Sequence, residues 1–200
     1  MTRNTKILGC MAIAAALLWR DSRSDVAART YRPNTPDLAP IPDLDTTSPT
    51  MGQPNQVEAV RTAISADQAK KYLSAAFTAA FKRTPSKYEI AMLLAQSALE
   101  TRDWKAMWNW NFGNVNTSQK YPWFDLRDGH KYRAFTSPEQ GALYFILFLK
   151  RRYPTAWALL GTRDPRGFAE ALKSGEPYSY YEGDVNKYAS YLETQYVRYA

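Results

Sequence analysis

The chain is poor in the residues that most metal and redox chemistry requires. One cysteine, Cys10, in 200 residues excludes a disulfide framework and a thiolate zinc cluster. One histidine, His130, leaves no pair for a histidine metal site and argues against a Ser-His-Asp triad. No glycine-rich phosphate loop or dinucleotide fingerprint occurs among the 9 glycines. Acidic charge is in deficit, 19 Asp and Glu against 26 Lys and Arg, so the net charge of +7 allows nucleic acid and equally any other polyanionic partner, such as a bacterial cell wall. Long hydrophobic runs are also missing. The longest, Ile7 to Trp19, follows Arg3 and Lys6 and falls short of the about 20 residues that a membrane span needs.

That run has the length of a secretory signal core, and Val26-Ala27-Ala28 supplies small residues for cleavage. Residues 1–28 therefore read as a signal peptide or short membrane anchor, with a buried N-terminal helix as the other reading. Six prolines follow between Tyr31 and Gln56, so residues 29–57 read as a disordered, Pro-rich tether. The folded domain is expected over 58–200, long enough for a self-sufficient core.

Helix signals dominate this domain. Ser65 and Gln68 form a capping-box pattern ahead of an apolar stripe from Ala69 to Phe81. Thr84-Pro85 is expected to start a second helix, Ser137-Pro138 a third and Asp164-Pro165 a short one that stops near Gly175. Asp184 is expected to cap the last. Between the second and third, Asp128-Gly129 lies at the centre of a hairpin pattern from Trp123 to Phe135. The fold class is mainly α with one small β-hairpin.

Glu100 is the centre of the chemistry. At a helix C-terminus it faces the negative end of the dipole, and apolar Leu99 and Trp104 disfavour its ionisation further. A carboxyl kept protonated near neutral pH is what a general acid requires; the plain reading of a helix-end Glu is a solvated surface residue. Behind it, Trp104, Met107, Trp108, Trp110 and Phe112 alternate with Asn109, Asn111, Asn114 and Asn116. Such aromatic planes and carboxamides suit sugar faces and N-acetyl groups, or alternatively a packed loop whose Asn residues satisfy turns. Trp104 is expected to seal the floor beneath Glu100. Trp108 and Trp110 would share one face of an extended loop. Lys150-Arg151-Arg152 closes a helix in keeping with its dipole, or helps hold anionic glycan or nucleic acid.

Two runs, Ala95-Gln96-Ser97-Ala98-Leu99-Glu100-Thr101 and Asn111-Phe112-Gly113-Asn114, resemble the A-Q-x-A-L-E-S/T and N-L/N-F-G patterns of bacterial peptidoglycan β-N-acetylglucosaminidases, glycoside hydrolase family 73. Tyr132-Arg133-Ala134-Phe135-Thr136-Ser137 is similar to the family's F-R-x-Y-x-S, and Tyr181 with Asp184 to its Y-x-T-D element. The resemblance covers about Thr84 to Ala200. It implies a lysozyme-like α+β domain that needs no cofactor or metal and acts on peptidoglycan glycan strands, not nucleic acid. It implies Glu100 as general acid and a second carboxylate before the turn glycine, where Asp125, or else Asp128, stands in place of the family's Glu. Substrate-binding positions would be Trp108, Trp110, Asn111, Phe112, Asn114 and Tyr181, with Tyr178 and Tyr180 leaving the register of the last open. An exported, monomeric envelope enzyme is the corresponding expectation, in the periplasm, membrane-anchored or carried on a virion. A lytic transglycosylase or muramidase of the same fold, and a non-catalytic glycan-binding module, are the alternatives.

Overall fold

A computed structural model describes residues 55–117, 120–126, 130–175 and 179–200. The leader or anchor at 1–28, nearly all of the 29–57 tether, the Asp128-Gly129 turn and Tyr178 lie outside the described residues. What is described is mainly helical with one small antiparallel sheet: α1 (Ala66–Phe81), α2 (Lys87–Thr101), β1 (Trp123–Asp125), β2 (Lys131–Arg133), α3 (Pro138–Arg152), α4 (Pro154–Ala158), α5 (Pro165–Lys173) and α6 (Val185–Tyr199).

Most helix starts follow from local chemistry. Ser65 caps α1 with the reciprocal Gln68 bond, Ser137 caps α3 with Pro138 in its first turn, and Asp164 and Asp184 cap α5 and α6. The second helix departs from expectation. Pro85 is not its first residue; Ser86 is the cap, and Glu89 completes a capping box by accepting from the Ser86 N–H at 2.7 Å. Arg83 clamps the same carboxylate at 2.8 and 2.5 Å and holds Glu89 down to about 2, so the turn is locked one residue further on. The short helix α4, between α3 and α5, was not expected; Tyr153-Pro154 starts it without a side-chain cap.

The core explains the arrangement of these elements. In α2 every residue from Ile90 to Ala98 is buried, so this helix is enclosed on all sides and runs through the domain. It packs against α6 along one side and α1 on another, while α1 also packs on α3, and α5 lies between α4 and α6. Phe77, Trp104, Phe112, Phe145 and Phe168 are its largest enclosed side chains. Phe77, Phe81 and Trp157 form a further ring cluster that joins α1 to α4.

The hairpin pairs Trp123 with Arg133, Phe124 with Tyr132 and Asp125 with Lys131. It is flanked on both edges. On one side Arg133 donates to Val115 O and Thr117 to Lys131 O; on the other, Trp123 donates to Asn55 O and Val57 to Trp123 O. Among the described residues, backbone pairing thus includes Asn55 and Val57, ahead of the boundary expected at Glu58. It continues through Asn109 to Val60 O and Thr62 to Met107 O, which seats residues 55–62 against the loop after α2.

A chain starting at Gly52 should accordingly be more stable than one starting at Glu58, by roughly 1–3 kcal/mol for two backbone hydrogen bonds. Urea midpoints of the two chains measure this; equal midpoints would mean that the Asn55–Val57 pairing contributes nothing.

Candidate functional site

The Glu100 backbone sits in the last turn of α2, where helix carbonyls have no partner within the helix. Asn114 supplies one, its side-chain amide donating to the Glu100 carbonyl. The chain then turns back sharply: Arg102, Asp103 and Trp104 have φ of 51°, 55° and 59°, three successive left-handed residues without a glycine. Side chains of α2 hold that turn in place. Thr101 Oγ1 accepts from the Trp104 N–H at 3.1 Å, and Ser97 Oγ accepts from the Trp104 indole at 2.9 Å while donating to Phe112 O at 2.7 Å. The Ser and Thr of the Ala95–Thr101 run are therefore anchors for the loop.

The carboxyl of Glu100 points into a polar cluster between α2 and α6. Tyr188, in the first turn of α6, donates its hydroxyl to Glu100 Oε1 at 2.7 Å. Gln96 Nε2, one turn back on α2, lies 3.2 Å from the same oxygen and 2.7 Å from the Tyr188 hydroxyl. Tyr180 approaches from the segment before α6, its hydroxyl donating to Gly113 O at 3.0 Å. Gly113 is needed there: a Cβ would lie 2.6 Å from the Phe145 ring and 2.9 Å from the Tyr180 hydroxyl.

Enclosure dominates the electrostatics. Burial of the carboxyl pushes Glu100 up to about 7 from its ordinary 4.5, against the opposing pull of the Tyr188 and Gln96 hydrogen bonds. The residue keeps a little exposed surface, although its carboxyl is desolvated. Burial also holds the neighbouring phenols of Tyr180 and Tyr188 well above their usual range, with the nearby Glu100 charge adding to it, so both are neutral donors at neutral pH. Glu100 is thus a carboxyl that can carry a proton near pH 7. Among the described residues no cluster of His, Cys, Asp and Glu could hold a metal ion.

The other expected site residues separate into distinct groups. Asn114 and Tyr181 lie beside Glu100: Asn114 bonds its carbonyl, and the Tyr181 ring stacks on Tyr188 at 3.6 Å and 5°. Trp108 and Trp110 are half-buried. They do not share a face of an extended strand, because Asn109 and Trp110 have φ of 45° and 55°. The clamp of Asn109 on Glu58 O and on the Val60 N–H forces that turn. Asn111 and Phe112 cannot contact a substrate. Asn111 is fully buried and its carboxamide is used on Val115 O, Arg133 O and the Val115 N–H, at 3.0, 3.0 and 2.9 Å. Phe112 is fully buried in the core beside α3. Trp104 is fully buried as expected and also packs on Tyr199, with ring centroids 5.9 Å apart. Asp125 is exposed at the end of β1, opposite Lys131. Asp128 lies outside the described residues.

Two functional neighbours were overlooked at the level of sequence. Gln96 carries a usable signal, since it stands four residues before Glu100 on one helix face. Tyr188 carries none beyond its place on the apolar stripe of α6. No family model, curated protein or solved structure matches the chain.

Two outcomes follow from this geometry. Unfolded, a glutamate titrates near 4.5, whereas Glu100 in the folded chain titrates near 7. Below both values the carboxyl is protonated in either state and costs nothing. Between them the unfolded chain releases its proton first, so stability falls through this window and stays low above it. Glu100→Gln should remove that loss and stabilise the chain at pH 8 by on the order of 3 kcal/mol, with little gain at pH 4. Denaturation at both pH values measures it, and an equal effect at each would contradict a buried, proton-holding carboxyl. Asn111→Ala should cost at least about 2 kcal/mol at any pH, since it leaves buried backbone groups without partners.

Proposed function

We propose that the protein is a glycoside hydrolase of the peptidoglycan glycan strand, in which Glu100 protonates the leaving glycosidic oxygen. The observation that carries this reading is the Glu100 carboxyl itself: enclosed at the end of a buried helix, pushed up to about 7, and directly ahead of an Asn- and Trp-bearing loop whose Asn114 bonds the Glu100 carbonyl. A general acid works best when its pKa lies close to the working pH. The resemblance to family 73 peptidoglycan N-acetylglucosaminidases gives the substrate class, and the helix-plus-hairpin architecture is compatible with the lysozyme-like fold of that family. Cleavage after N-acetylglucosamine, an exported location at the cell envelope and a tether ahead of residue 55 belong to the same proposal.

The chemistry requires two proton positions. Protonated Glu100 gives its proton as the C–O bond breaks, and positive charge develops on the anomeric carbon and ring oxygen. In the hydrolytic reading that charge is met by Asp125, directly or through a water, or by the substrate's own N-acetyl oxygen. Water then adds to the anomeric carbon and its proton is taken up by a carboxylate.

A lytic transglycosylase is the second reading, and one observation favours it. The upward push on Glu100 comes from burial, with no carboxylate among the described residues contributing, and the described groups that bond it are Gln96 and Tyr188. One acid acting alone suits an intramolecular attack by the muramyl 6-hydroxyl. Mass spectrometry of digested sacculi separates these: reducing N-acetylglucosamine ends mark the hydrolase, and anhydro-muramyl ends the transglycosylase. A sacculus left intact by the folded chain would mean a glycan-binding module instead.

Glu100→Gln should lower turnover by about 10²–10⁴-fold, the usual contribution of a general acid. Retention of a tenth of the turnover would falsify the assignment. Wild-type turnover should decline as pH rises through about 7, because the proton-carrying form of Glu100 is lost there. Asp125→Asn should also reduce turnover if that carboxylate takes part, and full activity in this variant favours the one-carboxylate route.

A further inference from the structure

The carboxyl of Glu100 is held asymmetrically. Oε1 accepts from the Tyr188 hydroxyl at 2.7 Å and from Gln96 Nε2 at 3.2 Å, and Gln96 also donates to the Tyr188 oxygen at 2.7 Å, closing a ring in which two linked donors hold one oxygen. No described residue bonds Oε2. From this geometry we infer that Tyr188 and Gln96 are the positioning residues of the acid: they fix Oε1 and leave Oε2 as the atom that carries and delivers the proton. The inference rests on the reading of Glu100 as a general acid.

Three features support it. The Tyr188 ring is itself immobilised, because Tyr181 stacks on it nearly parallel at 3.6 Å. Tyr181 is in turn tied to α5 through its hydroxyl on Ala169 O at 3.1 Å and through Lys173, which donates to Tyr181 O at 3.3 Å. A donor on so fixed a ring restricts the carboxyl torsion. Next, Gln96 is fully buried, yet its Oε1 has no partner. A buried polar atom left unpaired is costly, and turning the carboxamide over would place its oxygen against the Glu100 Oε1. The orientation with the unpartnered oxygen is the one that an accepting Glu100 Oε1 selects. Last, both donors favour the carboxylate, so they stabilise the form left behind once the proton has gone.

The titratable groups whose charge is felt together with that of Glu100 are Tyr188 at the start of α6, Tyr180 ahead of it and Tyr153 at the end of α3. Burial keeps all three phenols protonated at neutral pH, Tyr153 up to about 12, so Glu100 is the group among them that titrates near 7.

The test is a carboxyl-carbon NMR titration of the full chain with labelled glutamate, for the wild type, Tyr188→Phe and Gln96→Met. Tyr188→Phe keeps the ring and its stack on Tyr181 and removes only the hydroxyl. Loss of a hydrogen bond to the charged form should raise the midpoint of Glu100 by roughly one pH unit. Gln96→Met should raise it as well, by less, in line with its longer bond. An unchanged midpoint in either folded variant overturns the inference, and if one variant does not fold the other decides. The same variants then report on sacculus digestion: the high-pH limb of the profile should move upward with the NMR midpoint, while kcat below the limb falls more than KM rises. A kcat unaffected at every pH would show that the ring of donors does not position the acid. Absence of digestion by the wild type would overturn the glycosidase reading, and the titration would still answer whether Tyr188 and Gln96 hold Oε1.

Discussion

The site depends on one carboxyl group being carried out of water at the end of a helix that is itself surrounded by protein. Nearly the whole of α2 is core, so its last turn emerges among packed side chains and Glu100 loses hydration that a surface helix end would keep. Desolvation favours the neutral acid and the donors from Tyr188 and Gln96 favour the anion; the result near 7 is a balance in which burial is the larger effect. Changes to the packing of α2 on α6 would therefore act on the ionisation of Glu100 as well as on stability.

Around that carboxyl, polar side chains in the interior act as ties between segments distant in sequence. Ser97 and Thr101 hold the left-handed turn after α2, Asn109 fastens the loop to residues 58–60, and Asn111 joins it to the hairpin. Gly141 belongs to the same system: a Cβ there would fall 1.9 Å from the Trp110 carbonyl oxygen, so α3 meets the loop at backbone distance. Interior hydrogen bonds of this kind contribute modestly when made and cost considerably when broken, which gives the loop one conformation. The aromatic residues divide accordingly into those inside the ties, Trp104 and Phe112, and those at the rim, Trp108 and Trp110.

Much of the secondary structure was legible because it is written in near neighbours. Ser65 with Gln68, Ser137 with Pro138, and the aspartates at 164 and 184 cap their helices through contacts within three or four residues. The second helix shows the limit of such reading. Thr84-Pro85 and Ser86-Glu89 are competing local signals, and the Arg83 clamp on Glu89 favours the later one. The pairing of Asn55 was illegible for a different reason: its partner is Trp123, far along the chain, and a proline-rich composition gives no hint of a strand edge.

The sequence alone determined that the domain is mainly α with a hairpin after the second helix, and that Glu100 ends that helix among apolar residues. Periodicity, caps and turn residues act over a few positions, so one chain is enough to read them. Only the tertiary structure decided which of the adjacent aromatic and amide groups are available to a ligand. Asn111 and Asn114 are of one residue type and close in the loop, yet Asn111 is used up inside and Asn114 meets Glu100. Tertiary packing likewise brought Tyr188 to within hydrogen-bonding distance of a carboxyl that lies 88 residues earlier. Desolvation and hydrogen-bond partnership are properties of a three-dimensional neighbourhood, and residues so far apart share one only after the chain has folded.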